Sequence, residues 1–267
     1  MINEKLIIHS HKTLKMMKRF TILFLSVCIA TEINAQTDNT KGQIIYETVR
    51  KFDLKIQGDA AQFQNMLPKE RKGKKELLFT ANESIYQTIN QNQDEEVMQE
   101  SAGGANVMIK MQEPKEIIFC DIKNKTNFEQ REFMSRTFLV EAKTDTVQWK
   151  LTGNQKAILD YNCIEAELVG AKKKTIAWFA PAIPVSTGPD GYVGLPGLIL
   201  AMDIDNGKTT YTAQVVNLNE IDASLITKPK EGKKVTKQEF RKIVDEKMKE
   251  MNGGKSGDGP TIVIRTM

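Results

Sequence analysis

Residues 188–200 read Gly-Pro-Asp-Gly-Tyr-Val-Gly-Leu-Pro-Gly-Leu-Ile-Leu, with four glycines and two prolines leading into an apolar run. Such a segment cannot lie inside a helix or a central strand, because proline lacks the amide proton both need and glycine resists regular order. It is a connection made of tight turns, after which Leu198-Ile199-Leu200 resume an extended course. Upstream, Pro181 and Pro184 follow Trp178-Phe179-Ala180, so the chain leaves its sheet, or runs along an edge, after Phe179. Two uses of this connection stay open. It is a crossover whose glycines satisfy close packing, or it is the rim of a pocket or docking surface formed by Trp178, Phe179, Tyr192, Gly194, Leu195, Pro196 and Gly197. Trp149 and Trp178 also suit the buried face of a sheet.

Around this connection the chain alternates in the manner of strands. Residues 43–50, 77–89, 115–121, 127–132, 136–142, 148–151, 157–159, 163–169, 174–179, 198–203 and 208–217 carry apolar residues between turn-forming Asn, Asp, Gly and Lys. Asp205-Asn206-Gly207 is a strong hairpin signal. The spacing predicts an antiparallel meander. One helix is expected over 59–67, with Ala60, Phe63 and Leu67 on one face and Pro68 as its stop. A second is expected over 236–251, where Thr236 and Glu239 form a capping box and Phe240, Ile243, Val244, Met248 and Met251 share a face. The lysine-rich run 69–75 reads as a solvated connection, and the polar stretch 90–104 as a mobile loop. The fold class is mainly β (α+β): a single curved antiparallel sheet with one helix after the first strand and one C-terminal helix. By analogy of strand order, it resembles the half-barrel of periplasmic lipoprotein carriers.

Before this domain, Lys12, Lys15, Lys18 and Arg19 precede an apolar run over 20–30, and Ile33-Asn34-Ala35 ends on a small residue. This pattern predicts a signal peptide, 1–35, cleaved after Ala35. The domains are then 36–251, one β-rich unit, and 252–267, a Gly-rich tail in which 261–265 adds a terminal strand or stays loose. Cleavage removes five of the 38 basic and two of the 34 acidic residues, leaving 33 against 32. A nearly neutral chain lacks the positive footprint that nucleic acid demands. Both histidines, His9 and His11, go with the leader. What remains has no imidazole for Ser-His or Cys-His nucleophiles or for histidine-ligated zinc or copper. No later stretch is long and apolar enough to span a bilayer, so no transmembrane span is expected in the mature chain.

The hexapeptide 194–199, Gly188-Pro189 and the lead-in over 178–184 resemble the GLPGLI family of secreted proteins of Bacteroidota-type bacteria. The resemblance implies export and association with outer-membrane receptor systems. Cys163, within Asp160-Tyr161-Asn162-Cys163-Ile164-Glu165-Ala166, is similar to a cysteine of that family, and Cys120 has no such counterpart. Cys120 and Cys163 form a disulfide in an oxidising compartment, or stand as two separate buried thiols.

Two sharper chemical readings are weak. Asp203 to Gly207 lacks the distal glutamate of a calcium loop. Ser186 and Thr187 need a lysine or carboxylate in place of histidine to act as nucleophiles. The expectation is a non-enzymatic envelope protein, periplasmic or secreted, with no cofactor and no metal. It binds a hydrophobic small molecule or lipid, or an outer-membrane receptor protein. A cofactor-free hydrolase using carboxylates such as Glu165, Glu167 or Asp190 is the alternative, and a structural part of a cell-surface assembly is a third. An apolar groove favours the first, and a polar site with a perturbed carboxylate favours the second.

Overall fold

The first strand shows how the sheet is made. In a computed structural model, Ile44 and Tyr46 of β1 (Gly42–Lys51) point to one face and are fully buried, while Gln43 and Ile45 between them are only partly covered. That is the period of two expected of a pleated strand. The structure describes residues 39–52, 55–56, 69–89, 96–102, 105–111, 116–144, 147–218, 221–253 and 262–263. In chain order the further strands are β2 (Lys55–Ile56), β3 (Glu70–Phe79), β4 (Glu83–Thr88), β5 (Glu96–Ala102), β6 (Ala105–Met111), β7 (Glu116–Asp121) and β8 (Thr126–Phe133). They continue with β9 (Arg136–Lys143), β10 (Trp149–Ile158), β11 (Tyr161–Leu168), β12 (Thr175–Ala180), β13 (Leu198–Ile204), β14 (Thr209–Leu218), β15 (Lys233–Thr236) and β16 (Ile262–Val263). The α-helix among the described residues is α1 (Lys237–Gly253).

Twelve strands make one sheet, in the order β10-β11-β12-β13-β14-β1-β3-β4-β7-β8-β9-β15. All neighbours are antiparallel except β15, which runs parallel to β9. The sheet is open, ending at β10 and β15. β5 pairs with β6, and β16 with β2, in two small separate sheets. The expected mainly β class, antiparallel sheet and C-terminal helix are present. Residues 38–267 form a single compact unit, and α1 runs two residues beyond the expected end of the domain.

Several local expectations are corrected. The run 69–75 is no connection but the first half of β3, whose Lys72 and Lys74 are exposed on one face while Lys75 is buried on the other, and whose Lys74 lies opposite Glu47 of β1. Residues 77–89 split into β3 and β4 at Thr80, whose hydroxyl oxygen accepts from the amides of Asn82 and Glu83. Residues 148–151 and 157–159 belong to one strand, β10, with a register shift between Leu151 and Gln155. In the stretch read as a mobile loop, residues 96–102 pair with 105–111. The helix expected over 59–67 and the leader 1–35 lie outside the described residues.

The sheet has two covered faces. One carries the connection between β12 and β13 over the cluster of Ile44, Tyr46, Leu77, Phe79, Tyr86 and Ile118. The other presents Leu78, Ile85, Phe119, Phe128 and Leu139, roofed by Ile226 from the segment that leads to β15. At the β9 end, α1 places Phe240 against Phe133 and Phe138, with ring centroids 6.3 and 5.3 Å apart.

Candidate functional site

The connection over 181–197 is folded onto the sheet and anchored along its length. The Tyr46 hydroxyl donates to the Ile199 carbonyl at 2.6 Å, and the hydroxyls of Ser84 and Thr187 meet at 2.7 Å. Asn127 Nδ2 donates to the Gly191 carbonyl at 3.0 Å, and Trp149 Nε1 to the Val193 carbonyl at 2.8 Å. Its apolar residues Ile183, Val185, Val193 and Leu195 are buried in the core. Two glycines show why the motif is so restricted. A Cβ on Gly197 would lie 2.4 Å from the Ala180 carbonyl oxygen, which no real contact allows. Gly191 combines φ +72° with 2.9 Å approaches from its Cβ position to Ile118 Cγ2 and Asn127 Nδ2.

The residues expected at the rim differ in burial. Phe179, Leu195 and Gly197 are buried, because the strand period and the re-entry into β13 turn them into the core. Gly194 and Pro196 are exposed, and the Gly194 amide donates to Ser186 Oγ at 2.8 Å. Tyr192 is half-buried beside Trp149, with ring centroids 6.2 Å apart, and Trp178 is half-buried under Lys156 Nζ, 4.1 Å from the ring centroid. The seven residues do not converge on one surface.

Beyond the connection's Asp190, the same face turns polar. Residues directly opposite on paired strands share a face. One row therefore holds Phe79, Ser84, Cys120 and Asn127, under the connection. The next holds Leu77, Tyr86, Ile118, Glu129 and Val140. In the third, Tyr46 adjoins Lys75 and Lys75 adjoins Thr88, while Glu116 adjoins Arg131. Arg131 Nη2 lies 2.8 Å from Glu116 Oε1 and its Nε 2.9 Å from Glu129 Oε2, and Lys237 Nζ of α1 approaches Glu129 Oε1 at 3.9 Å. Lys75 Nζ donates to Thr88 Oγ1 at 2.8 Å, and, against the lowering effect of burial, the Tyr211 phenol acts to raise the Arg50 guanidinium's pKa.

Asp190 enters this cluster from above. It sits in a left-handed conformation, φ 53° and ψ 27°, which a non-glycine residue adopts only under constraint. Withdrawal from water, reinforced by the nearby Glu116 charge and opposed by Arg131, pushes its carboxyl up to about 6. Tyr86, on the same face, is 2 % exposed, with its hydroxyl making no hydrogen bond among the described residues. Burial raises that phenol well above its usual range, and Tyr211, Asp190, Tyr46 and Glu116 add to the rise. Asp190, Glu116, Arg131, Arg50, Tyr211 and Tyr86 therefore converge from the connection and from β7, β8, β1, β14 and β4.

Of these, only Asp190 was singled out from sequence. Glu116, Glu129, Arg131, Arg50, Tyr86 and Tyr211 were missed, although β8 carried a signal: Asn127, Glu129 and Arg131 alternate with Phe128 and so give one strand a polar inner face. Glu165 and Glu167 lie on β11 instead, where Glu165 Oε1 accepts from Thr152 Oγ1 at 2.8 Å and Asn154 Nδ2 at 3.1 Å. Thr187 is tied to Ser84 and has neither lysine nor carboxylate as its partner. Cys120 and Cys163 are free, buried thiols on β7 and β11, with β12, β13, β14, β1, β3 and β4 between those strands. Burial pushes them up to about 12 and about 11, respectively. Asp203 Oδ1 accepts from the Gly207 amide at 2.6 Å, closing the expected hairpin turn. No cluster of His, Cys, Asp and Glu able to hold a metal occurs among the described residues.

The fold and this face define an open-sheet β protein with a polar site at the end of a buried Gly/Pro connection. Residues 167–201, which contain that connection, match a family model described as a protein of unknown function, Porph_ging. No curated protein matches the chain. Solved structures of PNGF-II in P21 and C2 crystal forms are similar in fold, each with a TM-score of 0.50 and 14% identity. They cover 78% and 77% of this chain, which spans only 34% and 33% of theirs. Among the described residues no helix is long and apolar enough to cross a membrane.

Proposed function

We propose that this chain is an exported, GLPGLI-type envelope protein that acts by binding, and that its ligand occupies the polar end of the connection-bearing face. The GLPGLI reading rests on the motif at 188–200, and export on the basic and apolar pattern ending at Ala35. One observation carries the choice of site: a buried phenol hydroxyl, that of Tyr86, without a hydrogen-bond partner among the described residues, on the face that also carries Asp190. A buried polar atom left unpaired is costly, and a ligand or ordered water is what such a position accommodates. The apolar side chains expected to line a groove, Leu195 and Phe179 among them, are consumed in the core. A small polar ligand thus fits better than a lipid. Native mass spectrometry of protein taken from its own envelope fraction tests this. A polar adduct lost from Asp190→Asn and Tyr86→Phe supports the reading, whereas a bare polypeptide or an extracted lipid overturns it.

A second reading has its own support in the raised Asp190 carboxyl beside Glu116. In a hydrolase, Asp190 would donate the proton to a leaving group and Glu116 would activate water. A hydrolytic activity abolished in Asp190→Asn and Glu116→Gln, with both variants still folded, would favour it over binding alone.

A further inference from the structure

We propose that the end of the sheet at which Lys51, Lys69, Lys174 and Lys208 stand is a docking surface for an anionic lipid bilayer, with the turn between β11 and β12 entering the headgroups. The inference goes beyond the ligand reading above and shares no lysine with that site.

Strand register brings the charges together. The Asp205 amide donates to the Lys174 carbonyl, the Lys51 amide to the Lys208 carbonyl and the Phe52 amide to the Lys69 carbonyl, each at 2.8 Å. Four lysines far apart in sequence thus stand in line across the ends of β12, β14, β1 and β3. Lys172 and Lys173 extend the line toward β11, Lys150 lies near the start of β10, and Lys72 near the start of β3. All eight are exposed except Lys173, which is half-buried. Neighbouring strands lie about 4.8 Å apart, so the seven strands from β10 to β3 spread these charges over about 30 Å.

Their charge is not balanced. Among the described residues, the carboxylates at this end are Glu167 opposite Lys150, Glu70 at 3.5 Å from Lys72, Asp205 at 3.1 Å from Lys208, and Asp203, which accepts from the Gly207 amide. Eight lysines meet four carboxylates, and Arg50 and Arg71, opposite each other on β1 and β3, add to the positive side. Lys69, Lys172, Lys173 and Lys174 form no ion pair among the described residues. The mature chain carries 33 basic against 32 acidic residues, so the excess is a local concentration and not the general charge of the protein. Such a concentration attracts an anionic surface.

An apolar tip selects lipid among the polyanions. The turn after β11 runs Val169-Gly170-Ala171 just before Lys172, and all three residues are exposed, Val169 to 53%. Gly170 has nothing within 4 Å of its Cβ position, so the tip stands clear of the fold. Apolar residues flanked by lysines enter the headgroup boundary while the ammonium groups meet lipid phosphates. Single-stranded nucleic acid instead calls for aromatic rings on which bases stack. Among the described residues, the large apolar side chains that are exposed include no aromatic one.

Flotation of the mature chain with phosphatidylcholine vesicles, with and without phosphatidylglycerol, tests the proposal. Binding is expected with phosphatidylglycerol at about 0.05 M sodium chloride, and its loss without that lipid or at about 0.5 M salt. Lys172→Gln, Lys173→Gln and Lys174→Gln together should weaken it on the order of a hundredfold, at about fivefold for each lysine near the surface. Val169→Ser should weaken it roughly fivefold and leave its salt dependence unchanged. Lys242→Gln, Lys247→Gln and Lys249→Gln together remove the same charge from α1 and should change binding less than about threefold. These positions are exposed, so the urea midpoints should match the parent's. No vesicle binding at low salt, equal binding to phosphatidylcholine alone, or equal losses in the two lysine triples overturns the proposal. Tighter binding to oligothymidylate than to the vesicles overturns the choice of lipid.

Discussion

The backbone at Gly197 leaves no room for even one methyl group, since the obstacle is the Ala180 carbonyl and not a flexible side chain. Gly197→Ala should therefore cost at least about 2 kcal/mol, as overpacking does. Gly170→Ala, at φ +72° with nothing within 4 Å of its Cβ position, should cost only about 1 kcal/mol, for conformation alone. Urea midpoints of the two variants make the comparison, and equal losses would mean that the connection yields. Asp190 carries a pH signature of opposite sign to most carboxylates. Its folded-state titration lies near 6, above the ordinary 3.8, so the folded protein holds the proton where the unfolded chain has lost it. Stability from this group is present below about pH 4 and is lost as pH rises through about 6. Asp190→Asn should thus be more stable than the parent at pH 7.5, with the gap closing by pH 4.5. A pH-independent gap in denaturation midpoints would contradict this. Sequence pointed to Asp190 as one carboxylate among three. It could not separate Asp190 from Glu165 and Glu167, because what sets it apart is burial beside residues from five strands.

At the level of elements, strong local chemistry was legible and weak local chemistry was not. The β13–β14 hairpin followed from Asp205-Asn206-Gly207, whose φ values of 60°, 55° and 80° are those such residues tolerate. The start of α1 followed from its capping box. Glu239 Oε2 accepts from the Thr236 amide at 2.7 Å and from its hydroxyl at 2.9 Å, while the Glu239 amide donates to Thr236 Oγ1 at 3.2 Å. Thr236→Ala should cost about 1 kcal/mol, seen as a lower midpoint and earlier exchange of the first-turn amides. An unchanged midpoint would mean that Phe240 packing alone holds the helix. By contrast, β3 was hidden because its lysines mimic a solvated turn; pairing with Glu47 and burial of Lys75 are tertiary facts. β15 was missed because four residues with one buried position, Val235, give no period to read.

Across the whole molecule, the strand order sets where stability resides. β1 is bonded on both sides, to β14 and β3, whereas β10 has one neighbour and exposes most of its length, Leu151 being 55% accessible. Hydrogen exchange should be slowest in β1, β3 and β14 and fastest in β10. Equal protection across the sheet would argue for a lid over β10. The same order also fixes a sequence in time. As the chain emerges from the ribosome, β3, β4, β7, β8 and β9 can each pair with the neighbour just made. β1 must wait for residues 209–218, and the free side of β9 for residues 233–236. Late-joining strands of this kind keep raw edges bare and sticky through most of synthesis. A nascent chain cut short before Thr209 would therefore carry the bare edges of β1, β9 and β13 at once, and would stay prone to edge-to-edge association until the final segments arrive.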